Sequence, residues 1–319
     1  MSTPNIIGRA EVSDALLPDQ VITEILQTAP ESSVILSRAA NVRMTAKKAK
    51  QPVLAAIPDG YWVDGDTGMK STSAAEWKGV TMTAEELAII VPIPDAVIDD
   101  ADVPLWEQVR PLLAAAIGKK VDEAALFGTD KPTSWPTAIV PGAIAAGNAV
   151  TVGTGVDFGV DVADLAEKVS VDGFAINGFA SRPGLSWKLR GLRDMNGQPI
   201  YGAPMTESQA AVLYGYPLDE VRNGAWNAGA AELLAADWSK FVVGIRQDIT
   251  YDLFKEGVIS DSEGKVLLNL MQQDTKALRV VFRVGFQVAN PVTALNTNGL
   301  TRYPAGVVIP ATGEGETEG

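Results

Sequence analysis

The chain has no cysteine and no histidine. Without cysteine no disulfide can form, and a zinc ion would find only carboxylate ligands. Without histidine the Ser-His-Asp and Cys-His mechanisms lose their general base, and the commonest acid–base group near neutral pH is missing. Both absences shift weight toward a binding or structural role. No run of about 18 apolar residues exists, so nothing reads as a membrane-spanning helix. The opening MSTPNIIGRAEVSD lacks the basic stretch and apolar block of a secretion signal. Positive charge is also scarce. The 26 Lys and Arg residues against 39 Asp and Glu leave a net charge of −13, which argues against a generic DNA-binding surface.

What is present is enough for one large domain or two of ordinary size. There are 319 residues, and 46% are hydrophobic, so a substantial core is possible. The organising stretch is residues 104–128, whose periodicity predicts one long helix. Leu105, Val109, Leu113, Ile117, Val121 and Ala125 recur at intervals of four, and Leu112, Ala116 and Ala124 widen the stripe. Glu107, Arg110, Lys119, Lys120, Asp122 and Glu123 form the opposite side. Asp102 can cap the start and Gly128 can end the helix in a left-handed conformation. At 1.5 Å per residue the rod is roughly 35 Å long. Pro111 cannot donate to the Glu107 carbonyl, so a kink or a helix start is expected there.

Before this helix, residues 1–44 read as an arm. Val21, Ile22, Ile25 and Leu26 have helical spacing, and residues 33–40 suggest a further turn or a short strand. Residues 45–82 read as a long two-stranded excursion. Val53, Ala55 and Ile57 alternate, a tip rich in glycine, serine, threonine and aspartate follows, and Val80 and Met82 resume the alternation. Such a hairpin is marginal alone in water. Its Trp62 and Trp77 need a partner to cover them, and tryptophan is enriched in interfaces. Arg43, Lys47, Lys48 and Lys50 sit at its foot. They can meet acidic surface on a neighbour or simply form a solvated face. Residues 83–103 return as a strand through Leu87, Ile89, Val91 and Ile93, then a helical turn at residues 95–100.

After Gly128 the chain is rich in glycine, proline and alanine to about residue 155, and reads as loop with short strands. A helix at residues 161–169, a buried strand at 173–178 and a helix at 182–192 follow. Asn196-Gly197 marks a tight turn. Short strands are expected at 214–218, 241–245 and 248–253, the last two separated by a turn at Arg246-Gln247. The longest strand signal is KALRVVFRVGFQVANP, residues 276–291. Residues 311–319, ATGEGETEG, form an acidic tail expected to be disordered.

No motif carries chemistry well. Residues 63–68, VDGDTG, resemble a calcium loop, but counting from Asp64 the required glycine is Met69 and the required glutamate is Ala75. Ser262-Glu263-Gly264-Lys265 matches S-x-x-K without its companion motifs and reads as a turn. Gly153-Thr154-Gly155 lacks the third glycine of a dinucleotide loop and the lysine of a phosphate loop. Asp99, Asp100 and Asp102 read as a helix N-terminal cap region.

The order of elements is more specific than any motif, and several stretches share it. They are PIPDAVIDD at 92–100 leading into a helix ending ALFG, SRPGLSWKLRGLRDMNGQPIYG at 181–202, LYGYPL at 213–218, ADWSKFVVGIRQDITYDL at 236–253 and KALRVVFRVGFQVANPVTAL at 276–295. Together they resemble the major capsid proteins of tailed bacteriophages, the Hong Kong 97-type fold. The resemblance implies an α+β fold with an N-terminal arm at 1–44, an extended E-loop hairpin at 45–82 and an acidic tail at 311–319. A peripheral domain carrying the long spine helix takes 83–134 and 274–310, and an axial domain takes 135–273. It implies a non-enzymatic subunit that forms pentamers and hexamers of itself in an icosahedral shell around double-stranded DNA.

Expected partners are scaffolding and portal proteins, with a decoration protein left open; no membrane and no cofactor or metal is implied. The shell is a virion component assembled in the host bacterial cytoplasm. The chain has no room for the prototype's N-terminal scaffolding region, hence the separate scaffolding protein. Trp62, Trp77, Lys70, Arg43, Lys47 and Lys48 are the expected inter-subunit contacts. The prototype joins a loop lysine to an asparagine with help from a glutamate. Those two positions read Asp274 and Val281 here, so Lys70 and Lys78 are expected to form no covalent crosslink. The alternatives are an encapsulin-like shell enclosing protein cargo, and a histidine-free hydrolase with paired carboxylates, which would be a compact monomer. An acidic lining that repels packaged DNA is one use for the net charge.

Overall fold

The computed structural model describes residues 33–60, 62–63, 72–99, 105–191 and 211–311. A short helix, α1 (Val34–Arg38), leads into strand β1 (Ala40–Arg43). Strands β2 (Lys48–Ala56) and β3 (Glu76–Thr83) form the excursion, and β4 (Glu85–Pro94) returns to the body. Helix α2 (Asp95–Asp99) precedes the spine helix α3 (Leu105–Asp122), which continues as a π-helical stretch, Glu123–Phe127. Then come α4 (Ile139–Ala146), β5 (Ala149–Thr151), α5 (Phe158–Val171), β6 (Gly178–Ser181) and α6 (Leu185–Arg190). Strands β7 (Val212–Leu213), β8 (Tyr216–Glu220), β9 (Leu233–Ala236) and β10 (Phe241–Phe254) follow. The chain closes with β11 (Val258–Ser260), β12 (Val266–Asn269), β13 (Thr275–Val288) and β14 (Ala305–Ile309).

Two sheets organise these elements. The first has the order β1-β10-β13-β4, with β1 parallel to β10 and the other neighbours antiparallel. Alternation decides its inner face: Leu278, Val280, Phe282, Val284 and Phe286 of β13 join the core that holds Leu113, Ile117 and Val121 of α3. Burying each such side chain is worth about 1.5–3 kcal/mol, so the helix stripe and strand alternation read from sequence hold this layer together. The second sheet has the order β5-β14-β9-β6-β8-β7. Its strands feed two cores. Leu234, Ala236 and Val307 face Ile139, Val140 and Ala143 of α4, while Leu233, Ala235 and Val308 face Leu165 and Val169 of α5.

The spine helix ends as the sequence predicts. Gly128 has φ 81, and its amide donates to the Ala124 and Glu123 carbonyls. Of the two outcomes expected at Pro111, the start is ruled out: the helix runs through that residue. Pro111 lies on the exposed side. The Glu107 carbonyl, one turn back on the same side, can therefore be satisfied by water. The proposed Asp102 cap and the Asn196-Gly197 turn lie outside the described residues.

Other readings need correction. Asp122 was assigned to the exposed side of the helix and is fully buried. The two strands expected around Arg246-Gln247 are one strand, β10, whose register with β13 shifts between Ile245 and Gln247 and again between Gln247 and Thr250. Two irregular steps in one strand look like a turn in sequence, because bulges interrupt alternation without reversing the chain. The buried strand at 173–178 actually starts at Gly178. Residues 139–146, read as loop because of Pro141 and Gly142, form a helix. Gly142 is needed there, since a Cβ would lie 2.6 Å from the Tyr303 ring. The strand expected at 214–218 is a hairpin: Tyr214 and Gly215 both have positive φ, 50 and 85, between β7 and β8. Within the span read as an arm, residues 34–43 form α1 and β1, with β1 paired to β10, and β14 pairs with β5 and β9 in the second sheet.

Candidate inter-subunit surface

Much of the excursion is left uncovered by the body of its own chain. β2 and β3 pair antiparallel from Lys48↔Thr83 to Ala56↔Glu76, with a bulge between Leu54 and Ala56. Within this pair only Val53, Met82 and Thr83 are buried. From Glu76 to Gly79, β3 is exposed on both faces. Trp62 is 100% exposed and Trp77 67%. A large aromatic side chain has on the order of 150–250 Å² to bury, so these rings are apolar anchors without a partner inside the subunit.

The root is held firmly, in contrast. Gly244 and Gly285 are directly paired across β10 and β13. Together they form a flat notch into which the loop root drops. A Cβ at Gly244 would collide with Met44 Sδ and Met82 Cε, and one at Gly285 would lie 2.9 Å from the Thr83 carbonyl oxygen. The Gln287 side-chain amide donates to the Thr81 carbonyl at 2.8 Å, and the Val292 amide donates to the Leu54 carbonyl at 2.9 Å. The hairpin is thus fixed at its base.

The predicted contact residues divide accordingly. Arg43 and Lys48 are exposed at the foot of the hairpin. Lys47 already has an acidic partner in its own chain, Glu85, at 3.7 Å. Lys70 lies outside the described residues, as do Asp64 to Gly68 of the calcium-loop resemblance and both Asp100 and Asp102. Asp274 has φ 41 and its carbonyl accepts from the Asp95 amide at 2.7 Å, while Val281 is buried in the sheet.

The weak motifs have structural occupations. The Gly153 and Gly155 amides, spaced to hold an anion, donate to the buried Asp161 carboxylate at 2.8 and 2.7 Å. The loop therefore binds its own chain's anion. Ser262 to Lys265 is the tip of the β11–β12 hairpin, where Asp261 accepts from the Glu263 and Lys265 amides. Among the described residues no three His, Cys, Asp or Glu side chains are placed to hold a metal ion.

One surface was not found in the sequence. Leu253, Phe254, Val258, Val266 and Met271 are exposed around the β11–β12 hairpin, and the Arg279 guanidinium lies 4.7 Å above the Phe254 ring. The strands are only three and four residues long, too short for a clear period, and the DSEGK turn was the sole signal.

A helix-backed sheet, a second helix-flanked mixed sheet and an uncovered hairpin projecting from the first define a subunit built to be completed by its neighbours. Residues 14–295 match the model described as the phage capsid family, and the chain belongs to that family. It is a major capsid protein, a subunit that assembles into a phage capsid shell with the Hong Kong 97-type fold. The solved chain from Microbacterium phage Oxtober96 is 35% identical with a TM-score of 0.80, covering 95% of this chain and 99% of that one. That from Mycobacterium phage Cain is 32% identical with a TM-score of 0.78, covering 96% and 99%. The major capsid protein of Staphylococcus phage 80alpha is 27% identical over 290 residues, 90% of this chain and 86% of its own length. Nothing in these relatives favours the encapsulin-like alternative.

Proposed function

We propose that the β2–β3 hairpin docks on the adjacent subunit of the same capsomer, with Trp62 and Trp77 as its apolar anchors. Arg43, Lys48 and Lys70 supply cationic contacts at its foot and tip, and Lys47 shares its charge with Glu85. The complete exposure of Trp62, together with the exposure of β3 on both faces from Glu76 to Gly79, carries this reading. Residues 1–44 and 45–82 serve as arm and E-loop. The spine helix and first sheet form the peripheral domain, and the second sheet with α5 and α6 forms the axial domain.

Subunits joined in this way make pentamers and hexamers that close an icosahedral shell around double-stranded DNA. Closure by symmetry lets many modest contacts sum to a stable particle. Assembly takes place in the host bacterial cytoplasm with separate scaffolding and portal proteins, and the role is structural rather than catalytic. The test is deletion of residues 60–76. The subunit is expected to stay folded by circular dichroism and to form few closed shells in negative-stain micrographs. Normal shells from that deletion would refute the docking role. Nuclease-protected double-stranded DNA in purified particles is the expected content; protein cargo in its place would refute the DNA reading.

A further inference from the structure

The spine helix ends on a carboxylate that shell contacts do not explain. Asp122 is fully buried. Its Oδ1 accepts from the Ser33 hydroxyl at 2.6 Å and from the Ile35 amide at 3.1 Å. Its Oδ2 accepts from the Val34 amide at 3.2 Å and from the Asn223 side-chain amide at 2.7 Å. Three remote parts of the chain therefore meet on one side chain: the end of the arm, the spine, and the connector between β8 and β9.

The arm end depends on this acceptor. Helix α1 has five residues, far below the roughly 12–15 at which a helix is even marginal alone. The first amides of any helix have no partner within it. Here Asp122 takes those of Val34 and Ile35, and Ser33 Oγ takes that of Leu36 at 3.1 Å. The first turn of α1 is thus completed by a residue 87 to 89 positions away in sequence.

The acceptor depends equally on its donors. A carboxylate out of water is costly unless it is fully hydrogen-bonded. Burial pushes the Asp122 pKa up, against the pull of Ser33, Asn223 and the two amides. Removing one donor leaves a less well-solvated anion for the others to hold, so the donors are coupled through it. The next residue starts the π-helical stretch Glu123–Phe127, a distortion that recurs at functional positions in helices.

We propose that Asp122 is a latch, the shared acceptor through which the exit of the arm from the body is coupled to the position of the axial connector at Asn223. A shift of the connector that withdraws Asn223 loosens the hold on residues 33–35 and releases the arm. Pulling the arm loosens the connector in the same measure, because coupling free energies are reciprocal. The coupling is internal to one subunit and independent of where the hairpin docks.

Hydrogen exchange of the full-length subunit tests it, using Asn223→Ala, Ser33→Ala and the double variant. Asn223→Ala is expected to speed exchange of the Val34 and Ile35 amides at least tenfold, although Asn223 bonds to neither. Ser33→Ala is expected to speed exchange across residues 222–226, and the double variant should fall short of the product of the two effects. Local, independent changes at each site would overturn the latch. Asp122→Asn, which keeps the shape but loses an acceptor, should produce both effects with protection retained at Ile117. Loss of protection throughout the spine in that variant would make Asp122 a general core residue and would also overturn it.

Discussion

Glu220 shows how one side chain sets a pH limit. It accepts from Ser186 through both hydroxyl and amide, at 2.5 and 3.0 Å, and from Arg222 at 2.7 Å. Burial alone would raise its pKa, but these donors together with the Gly184 amide outweigh it and hold the group at about 2, against 4.5 unperturbed. A depressed carboxyl pKa stabilises the fold above the unfolded value. That contribution is fully present above about 4.5 and is lost as pH falls toward about 2. Glu220→Gln should therefore cost about 1–3 kcal/mol at neutral pH. Its deficit should shrink through that window in denaturant melts at successive pH values. A second residue-scale expectation concerns the hairpin root. Gly285→Ala presses a methyl group on the Thr83 backbone, which cannot rotate away, whereas Gly244→Ala meets the side chains of Met44, at both its sulfur and its Cγ, and of Met82, which can move by changing rotamer. Gly285→Ala should lose about 1–3 kcal/mol and Gly244→Ala less, read by thermal melts. Trp62 and Trp77 are legible in the sequence as residues without cover because the two-stranded excursion around them is too small to bury them itself. Asp122 is not, since the partners that bury it come from residues 33–35 and 223.

At the scale of elements, long regular patterns translated directly. Strand β4 alternates from Glu85 to Val91, the inner face of β13 stays buried from Leu278 to Phe286, and the α3 stripe keeps its spacing at Val109, Leu113, Ile117 and Val121, although Leu112, read as widening it, is exposed. Elements that break their own rules did not. Helix α4 contains Pro141 and Gly142 within eight residues, yet forms because Ile139, Val140 and Ala143 fill the space over Val307 and Ala305. Strand β10 keeps its course through two bulges because β13 supplies a continuous partner. Pro111 illustrates the opposite case, a local penalty retained within a helix that tertiary packing enforces. Pro111→Ala should raise stability by about 1–3 kcal/mol, up to the full cost of an interior proline. Chemical denaturation of the soluble subunit checks this.

At the scale of the molecule, exposed apolar groups lie on the two hairpins, as with Trp77, Val258 and Val266, and also on the body, as with Leu112 of the spine and Trp187 of α6. We infer from the family resemblance that Asp274 and Val281 occupy the crosslink positions, which leaves neither an amide leaving group nor a proton-transferring side chain at those two positions for Lys70 or Lys78. Mature particles are expected to run on a denaturing gel without covalent ladders; ladders would contradict this. The sequence by itself determined the class of fold, the spine, the excursion and the lack of histidine- or cysteine-based chemistry. The spine, the excursion and the excluded chemistry depend on composition and on local periods of two or about 3.6 residues, which a chain carries wherever it is, and the class of fold on the family resemblance of several short stretches in order. Only the tertiary structure decided that β14 joins the second sheet, that Gly244 and Gly285 form one notch, and that Ser33, Asp122 and Asn223 share one buried site. Each of these joins residues tens to hundreds of positions apart, and local periodicity holds no information about which distant segment supplies the partner.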